Sequence, residues 1–181
     1  MPFMRFSAIA AVFLSAAFAL PASAQAGGVG FYNGTGLHVG DALERDGTGA
    51  WLNEGGGIEL FLGRQDTRVH GRLRVAYNAI IDLSPEPITR VRHSGFLSLG
   101  VKVEFLDDVE QPFGFYLATD VGVSPLTTHL RSYFTYSIGP GVRVRPVGPL
   151  ELFAELHGFV RYEKVIAGGP MLFLGARVHI D

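Results

Sequence analysis

The sequence predicts an all-β protein, a single antiparallel up-and-down barrel of eight strands that crosses a bilayer. Three observations predict it. From Val69 to Ile81 every odd position is apolar or small (Val69, Gly71, Leu73, Val75, Tyr77, Ala79, Ile81), while Arg68, His70, Arg72, Arg74, Asn78 and Asp82 line the other side. A period of two is a strand with two chemically opposed faces, and its length suits a tilted bilayer crossing of about 9–11 residues. The same alternation then recurs in seven further stretches. Finally, the chain is 48% hydrophobic and only 18% charged, with a mean hydropathy of +0.25. Beyond its first residues it nevertheless holds no run approaching the roughly 20 apolar residues of a spanning helix. An apolar average without a spanning helix is what alternating lipid-facing and lumen-facing residues produce.

The first strand is expected at Gly28–Gly40, with Val29, Phe31, Leu37 and Val39 opposite Tyr32 and His38. The second covers Ala50–Gly63, setting Leu52, Ile58, Leu60 and Leu62 against Asn53, Gly55, Gly57 and Glu59. Val69–Ile81 is the third. The fourth, Arg90–Leu106, opposes Leu97, Leu99, Val101, Val103 and Phe105 to Ser98, Gly100, Lys102 and Glu104. In the fifth, Phe113–Ser124, the polar side carries Gly114, Tyr116, Asp120 and Gly122. The sixth, Leu130–Arg145, carries Arg131, Thr135, Ser137, Arg143 and Arg145 there. The seventh, Leu150–Glu163, carries Glu151, Glu155, His157, Arg161 and Glu163, and the eighth, Pro170–Ile180, carries Arg177 and His179.

Polar or Pro/Gly-rich turns separate these runs at Arg64–Thr67, Asp107–Pro112 and Pro146–Pro149. The alternate connections, at Asp41–Gly49, Ser84–Thr89, Pro125–His129 and Lys164–Gly169, are somewhat longer, as in outer-membrane barrels. Ahead of the strands, Arg5, the apolar stretch Phe6–Leu20, Pro21 and Ala22-Ser23-Ala24 form an export signal, expected to be cleaved after Ala24. Residues 25–181 then make one barrel domain. The absence of cysteine excludes a lipoprotein anchor, a disulfide scaffold and a thiolate metal site. A net charge of −2 gives no reason to expect nucleic acid as a partner.

Alternation alone leaves open which face points inward, since a soluble barrel and a membrane barrel use opposite choices. The polar face is the better inner one. Gly55, Gly57, Gly100, Gly114, Gly122, Gly139 and Gly141 all lie on it, and an eight-stranded interior is only just wide enough for its own side chains. Opposite charges on this face are also balanced. Glu59, Arg72, Arg74, Lys102, Glu104, Asp120, Arg143, Glu151, Glu155, Arg161 and Arg177 are expected to form an internal charge network. Folding about Gln65-Asp66 opposes Glu59 to Arg72, and folding about Val147 opposes Arg143 to Glu151. Phe105, Phe113 and Tyr162, near strand ends on the apolar face, fit an interfacial aromatic girdle. Tyr116, Tyr133, Phe153, Phe159 and Phe173 join the long charged residues inside, so a filled lumen is expected rather than an open pore.

With its leader, eight amphipathic strands and glycine-rich charged face, the chain resembles the small eight-stranded bacterial outer-membrane barrels, the class of OmpA membrane domains, OmpX and OmpW. The resemblance implies a non-enzymatic protein, structural, adhesive or involved in minor transport, surrounded by outer-membrane lipid, monomeric and without a cofactor. It also implies the barrel-assembly machinery as a partner during biogenesis. Gly175, Val178 and Ile180 match the spacing of the terminal signal that machinery reads. The chain departs from the pattern by ending Ile180-Asp181 rather than in Phe or Trp, and by carrying Phe173 where a polar residue is usual. Lipid A deacylases are similar in size and topology and use a His-x-Ser pair. The residues two places after the six histidines are Gly40, Arg72, Gly95, Arg131, Phe159 and Asp181, so no such pair exists. No catalytic or metal-binding residue is assigned. A lipid-modifying enzyme and a secreted soluble lipid-binding barrel are the alternatives.

Overall fold

The structure, a computed structural model, describes residues 27–41, 48–63, 67–83, 91–105, 111–124, 133–162 and 166–180. The expected leader lies outside them. Eight strands follow in order: β1 Gly27–Asp41, β2 Thr48–Leu62, β3 Val69–Asp82, β4 Val91–Glu104, β5 Phe113–Ser124, β6 Tyr133–Val147, β7 Leu150–Tyr162 and β8 Ile166–Ile180. Each pairs antiparallel with its sequence neighbour, and β1 pairs with β8, so the sheet closes and no edge is left. Following the paired residues once around from Gly30, through Glu59, Arg74, Ser98, Gly122, Thr135, Arg161 and Ala167, returns to β1 at Gly40, ten residues further on. That stagger tilts the strands, roughly 35–45° being usual for barrels.

Several strand limits differ from the sequence expectation by one to four residues, and those of β8 and β6 matter here. β8 begins at Ile166, so Ile166, Ala167, Gly168 and Gly169 are strand residues rather than loop, and Pro170 lies inside the strand rather than at its start. The proline is accommodated because the ladder to β1 is interrupted between Gly36 and Val39, where its missing N–H would fall, while Gly158 pairs with it on the β7 side. Pro140 in β6 follows the same logic, at a gap in the β6–β7 ladder between Ile138 and Gly141. β6 also runs on to Val147, through an irregularity between Val144 and Val147, and turns on Gly148-Pro149 alone. Gly148 has φ +50°, a left-handed conformation that costs glycine least. These changes weaken the expected loop asymmetry. The connections are 63–68, 105–112 and 148–149 at the end that holds both termini of the barrel, and 42–47, 83–90, 125–132 and 163–165 at the other.

Alternate residues of every strand are buried inside, and the others are exposed. Large apolar side chains point outward all round the barrel, from Phe31 and Leu60 to Leu156, Leu174 and Val178. The interior holds Arg74, Arg143, Arg177, Glu59, Glu151 and Glu155, each almost fully buried. This polar-in, apolar-out inversion is that of a membrane barrel. Among the outward aromatics, Tyr77, Tyr136 and Tyr162 lie in the half nearer the loop end, whereas Phe105, Phe113 and Phe115 gather at the terminal end. Phe113 and Phe115 meet edge to face at 4.8 Å.

Candidate functional site

The interior is the most elaborate polar construction in the molecule. Its middle is built from three arginines and three carboxylates, a neutral set. Arg72 donates from Nη1 to Glu155 at 2.7 Å and from Nε to Asp120 at 2.7 Å, with a second bond between Nη2 and Asp120. Arg74 donates to Glu59 at 2.5 Å and to Glu155 at 2.9 Å. Arg177 bonds Glu59 through Nε, Glu155 at 3.1 Å and Glu151 at 2.7 Å. Glu155 is the hub, also accepting the Tyr116 hydroxyl at 2.8 Å. Burying such charges is costly, and only multiple well-formed partners offset it. Aromatic faces fill the remaining space: Arg177 lies 3.7 Å from the Phe153 ring centre, and Arg74 lies 4.6 Å from that of Tyr32.

Towards the terminal end, Lys102 reaches Glu104 at 2.9 Å and Glu151 at 3.4 Å, and Arg145 reaches Glu151 at 3.1 Å. Arg143 donates to Glu104 at 3.0 Å and to the Gln111 carbonyl at 2.9 Å. His179 Nε2 lies 3.1 Å from Glu151. Towards the loop end the lumen becomes more aromatic, with the Arg161 guanidinium 5.4 Å from the Trp51 ring centre and 5.6 Å from that of Tyr133.

Both expected charge partnerships are corrected. Glu59 stands opposite Arg74, and Arg72 stands opposite Phe61. The register Leu62↔Gly71 centres the connection one residue later than Gln65-Asp66, which moves each partner by two and leaves the faces unchanged. Arg72 keeps only a long, 3.9 Å approach to Glu59. Arg143 stands opposite Phe153, because the irregularity after Val144 offsets β6 against β7, and its acid is Glu104.

Much of the network skips a strand, and glycine makes this possible. Arg177, Gly30 and Glu59 are successive neighbours on β8, β1 and β2. A Cβ on Gly30 would sit 2.8 Å from Arg177 Cγ, so the bare glycine lets the side chain cross to Glu59. Arg72, Gly100 and Asp120 repeat the device on β3, β4 and β5. Arg143 crosses Gly114 towards Glu104, with its Nε 2.7 Å from where a Cβ would be. The same holds for an aromatic at Gly141, whose Cβ position is occupied by the Tyr116 ring.

Sequence reading passed over several interior residues. Trp51 and Phe61 share the parity of Glu59 and could have been assigned by it. Arg145 lies on the expected polar face but outside the expected charge network. Ser137 and His157 also meet, with Oγ and Nδ1 3.0 Å apart, and His157 Nε2 lies 3.2 Å from Glu155 without hydrogen-bond alignment. This has the order of a nucleophile–base–acid line. Ser137, His157 and Glu155 are, however, 4%, 1% and 1% exposed, and Glu155 is already saturated by arginines and Tyr116. Ser137 Oγ and His157 are thus enclosed in the lumen, where the trio forms a buried polar node.

No family model matches the chain, and no curated protein matches it. Solved structures do. The Neisserial surface protein A is similar at 14% identity, over 83% of this chain and 96% of that one, with a TM-score of 0.53. Ail, the attachment invasion locus protein of Yersinia pestis, aligns at 14% identity over 86% and 98% of the two chains, with a TM-score of 0.47. The N-terminal β-barrel domain of Pseudomonas aeruginosa OprF aligns at 14% identity over 83% and 97%, with a TM-score of 0.45. The closed eight-strand antiparallel sheet, its apolar exterior and the likeness to Neisserial surface protein A together make this chain a transmembrane β-barrel with the fold of the small eight-stranded outer-membrane proteins.

Proposed function

We propose that the protein is a non-enzymatic, non-conducting outer-membrane barrel, a sealed scaffold with a structural or adhesive role exerted at its ends rather than through its lumen. The observation that carries this reading is the interior cluster of Arg72, Arg74, Arg177, Glu59, Asp120 and Glu155, bonded across the barrel between β2, β3, β5, β7 and β8. An ion passing along the lumen must break several charge-assisted bonds at once, each stronger than a neutral one. The lipid-facing surface supports outer-membrane lipid as the surrounding phase. The spacing of Gly175, Val178 and Ile180 supports delivery by the barrel-assembly machinery after removal of residues 1–24.

Planar-bilayer recording on the folded mature chain tests the sealed lumen. The expected trace has no unitary steps, and reproducible single-channel openings would overturn the reading. Lipid A acyl patterns unchanged by expression, read by mass spectrometry, are the companion expectation for a protein without hydrolase activity. Recovery of the mature chain in the soluble fraction without detergent would remove the membrane assignment itself.

A further inference from the structure

The outward face of the described strands is mainly apolar, with a polar patch on β1 to β4. Two adjacent cross-strand rows there are polar or small. One is Thr35, Glu54, Ala79 and His93, and the next is Asn33, Gly56, Tyr77 and Gly95. Apolar rows flank them on both sides: Leu37, Leu52, Ile81 and Val91 towards the loops, and Phe31, Ile58, Val75 and Leu97 towards the termini. The patch therefore lies within the apolar belt and not beyond its rim. Glu54 and His93 are the only acid and the only imidazole among the outward-facing side chains described.

Glu54, Asn33 and Thr35 are exposed and make no side-chain hydrogen bond or ion pair. Facing acyl chains, the carboxylate of Glu54 is costly unless a donor covers it. The Tyr77 hydroxyl meets His93 Nδ1 and the two rings stack at 5.7 Å, while His93 is exposed and its Nε2 makes no hydrogen bond among the described residues. One half of the patch is thus an acceptor and the other a donor. Between them Gly56, Ala79 and Gly95 carry almost no side chain, so another backbone can approach closely, as in helix pairs that associate in membranes. An anionic headgroup fits poorly, because no lysine or arginine side chain faces outward from the described strands and Glu54 repels it.

We propose that this face is the interface of a homodimer in the membrane, in which Glu54 of each copy accepts from the Tyr77–His93 pair of the other across a two-fold axis near Ala79. A two-fold contact uses the same patch on both copies, so an acceptor and a donor on either side of the axis satisfy each other twice. The inference rests on the membrane-barrel reading above and revises the expectation of a monomer.

The chain has no cysteine, so single cysteines report contact directly. Ala79→Cys lies at the proposed axis, and Leu156→Cys, 55% exposed on β7, lies on the opposite wall. The mature variants are reconstituted into phosphatidylcholine vesicles, floated on a density gradient, checked for β-sheet circular dichroism and oxidised. Ala79→Cys is expected to form a disulfide-linked dimer under conditions that leave Leu156→Cys monomeric. Adding Glu54→Leu, or separately His93→Leu, is expected to abolish that cross-link in protein that still floats and folds. Equal cross-linking at the two positions, or a cross-link untouched by both leucine variants, overturns the dimer but leaves the membrane reading standing. So does an Ala79→Cys barrel that floats and stays monomeric, which would leave a lipid headgroup to cover the patch. Failure of the wild-type chain to float overturns both.

Discussion

At the scale of single residues, the interior trades one large cost against many bonds. Glu59 is buried with Arg74 on one oxygen and Arg177 on the other. Glu59→Ala removes one carboxylate and leaves two guanidinium groups short of a partner. Removing one partner of a buried ion pair usually costs about 3–5 kcal/mol. We expect a loss of that size in urea unfolding of the vesicle-embedded barrel, with the wild-type chain as reference. Parity along β2 made the inward direction of Glu59 legible in the sequence. Its partners were not, because Arg177 is 118 residues away and is brought near only by closure of β8 onto β1.

At the scale of strands, adjacent residues of β4 test its two faces separately. Leu99 points outward beside Leu73 and Val121. Leu99→Arg puts a charge among acyl chains, which costs about 2–4 kcal/mol near the bilayer midplane. The expected result is a loss of that size on refolding into bilayers, and an unchanged folding free energy would contradict a lipid-facing position. Gly100, its neighbour, points inward beneath the Arg72–Asp120 bonds. Gly100→Val should destabilise the barrel by more than the roughly 1–3 kcal/mol of simple overpacking, because it also parts an ion pair. If pairing across the glycine is the reason, combining it with Arg72→Ala and Asp120→Ala should cost less than the sum of the parts. Glycines on the charged face were visible in the sequence as relief of crowding. That Gly30, Gly100 and Gly114 each lie under a particular arginine–acid pair depended on neighbouring strands being in register. The strand limits show the same division: alternation located β3 and β5 well, whereas the glycines and proline at the start of β8 and the bulge in β6 obscured those ends.

At the scale of the whole molecule, closure with a ten-residue stagger joins the local faces into one wall and one sealed core. The absence of conductance expected in planar bilayers belongs to this scale, since the plug draws side chains from β2, β3, β5, β7 and β8 together. The outer polar patch is likewise a property of several strands. Glu54 and His93 are unremarkable within their own segments and become complementary only when β2, β3 and β4 lie side by side. By itself the sequence determined that there are eight amphipathic strands, that glycine accompanies the charged face and that this face suits a lumen, because strand periodicity is a local property of the backbone. Only the tertiary structure decided which acid meets which base and which outward polar groups stand together, because a shift of two residues in register keeps every face and changes every partner.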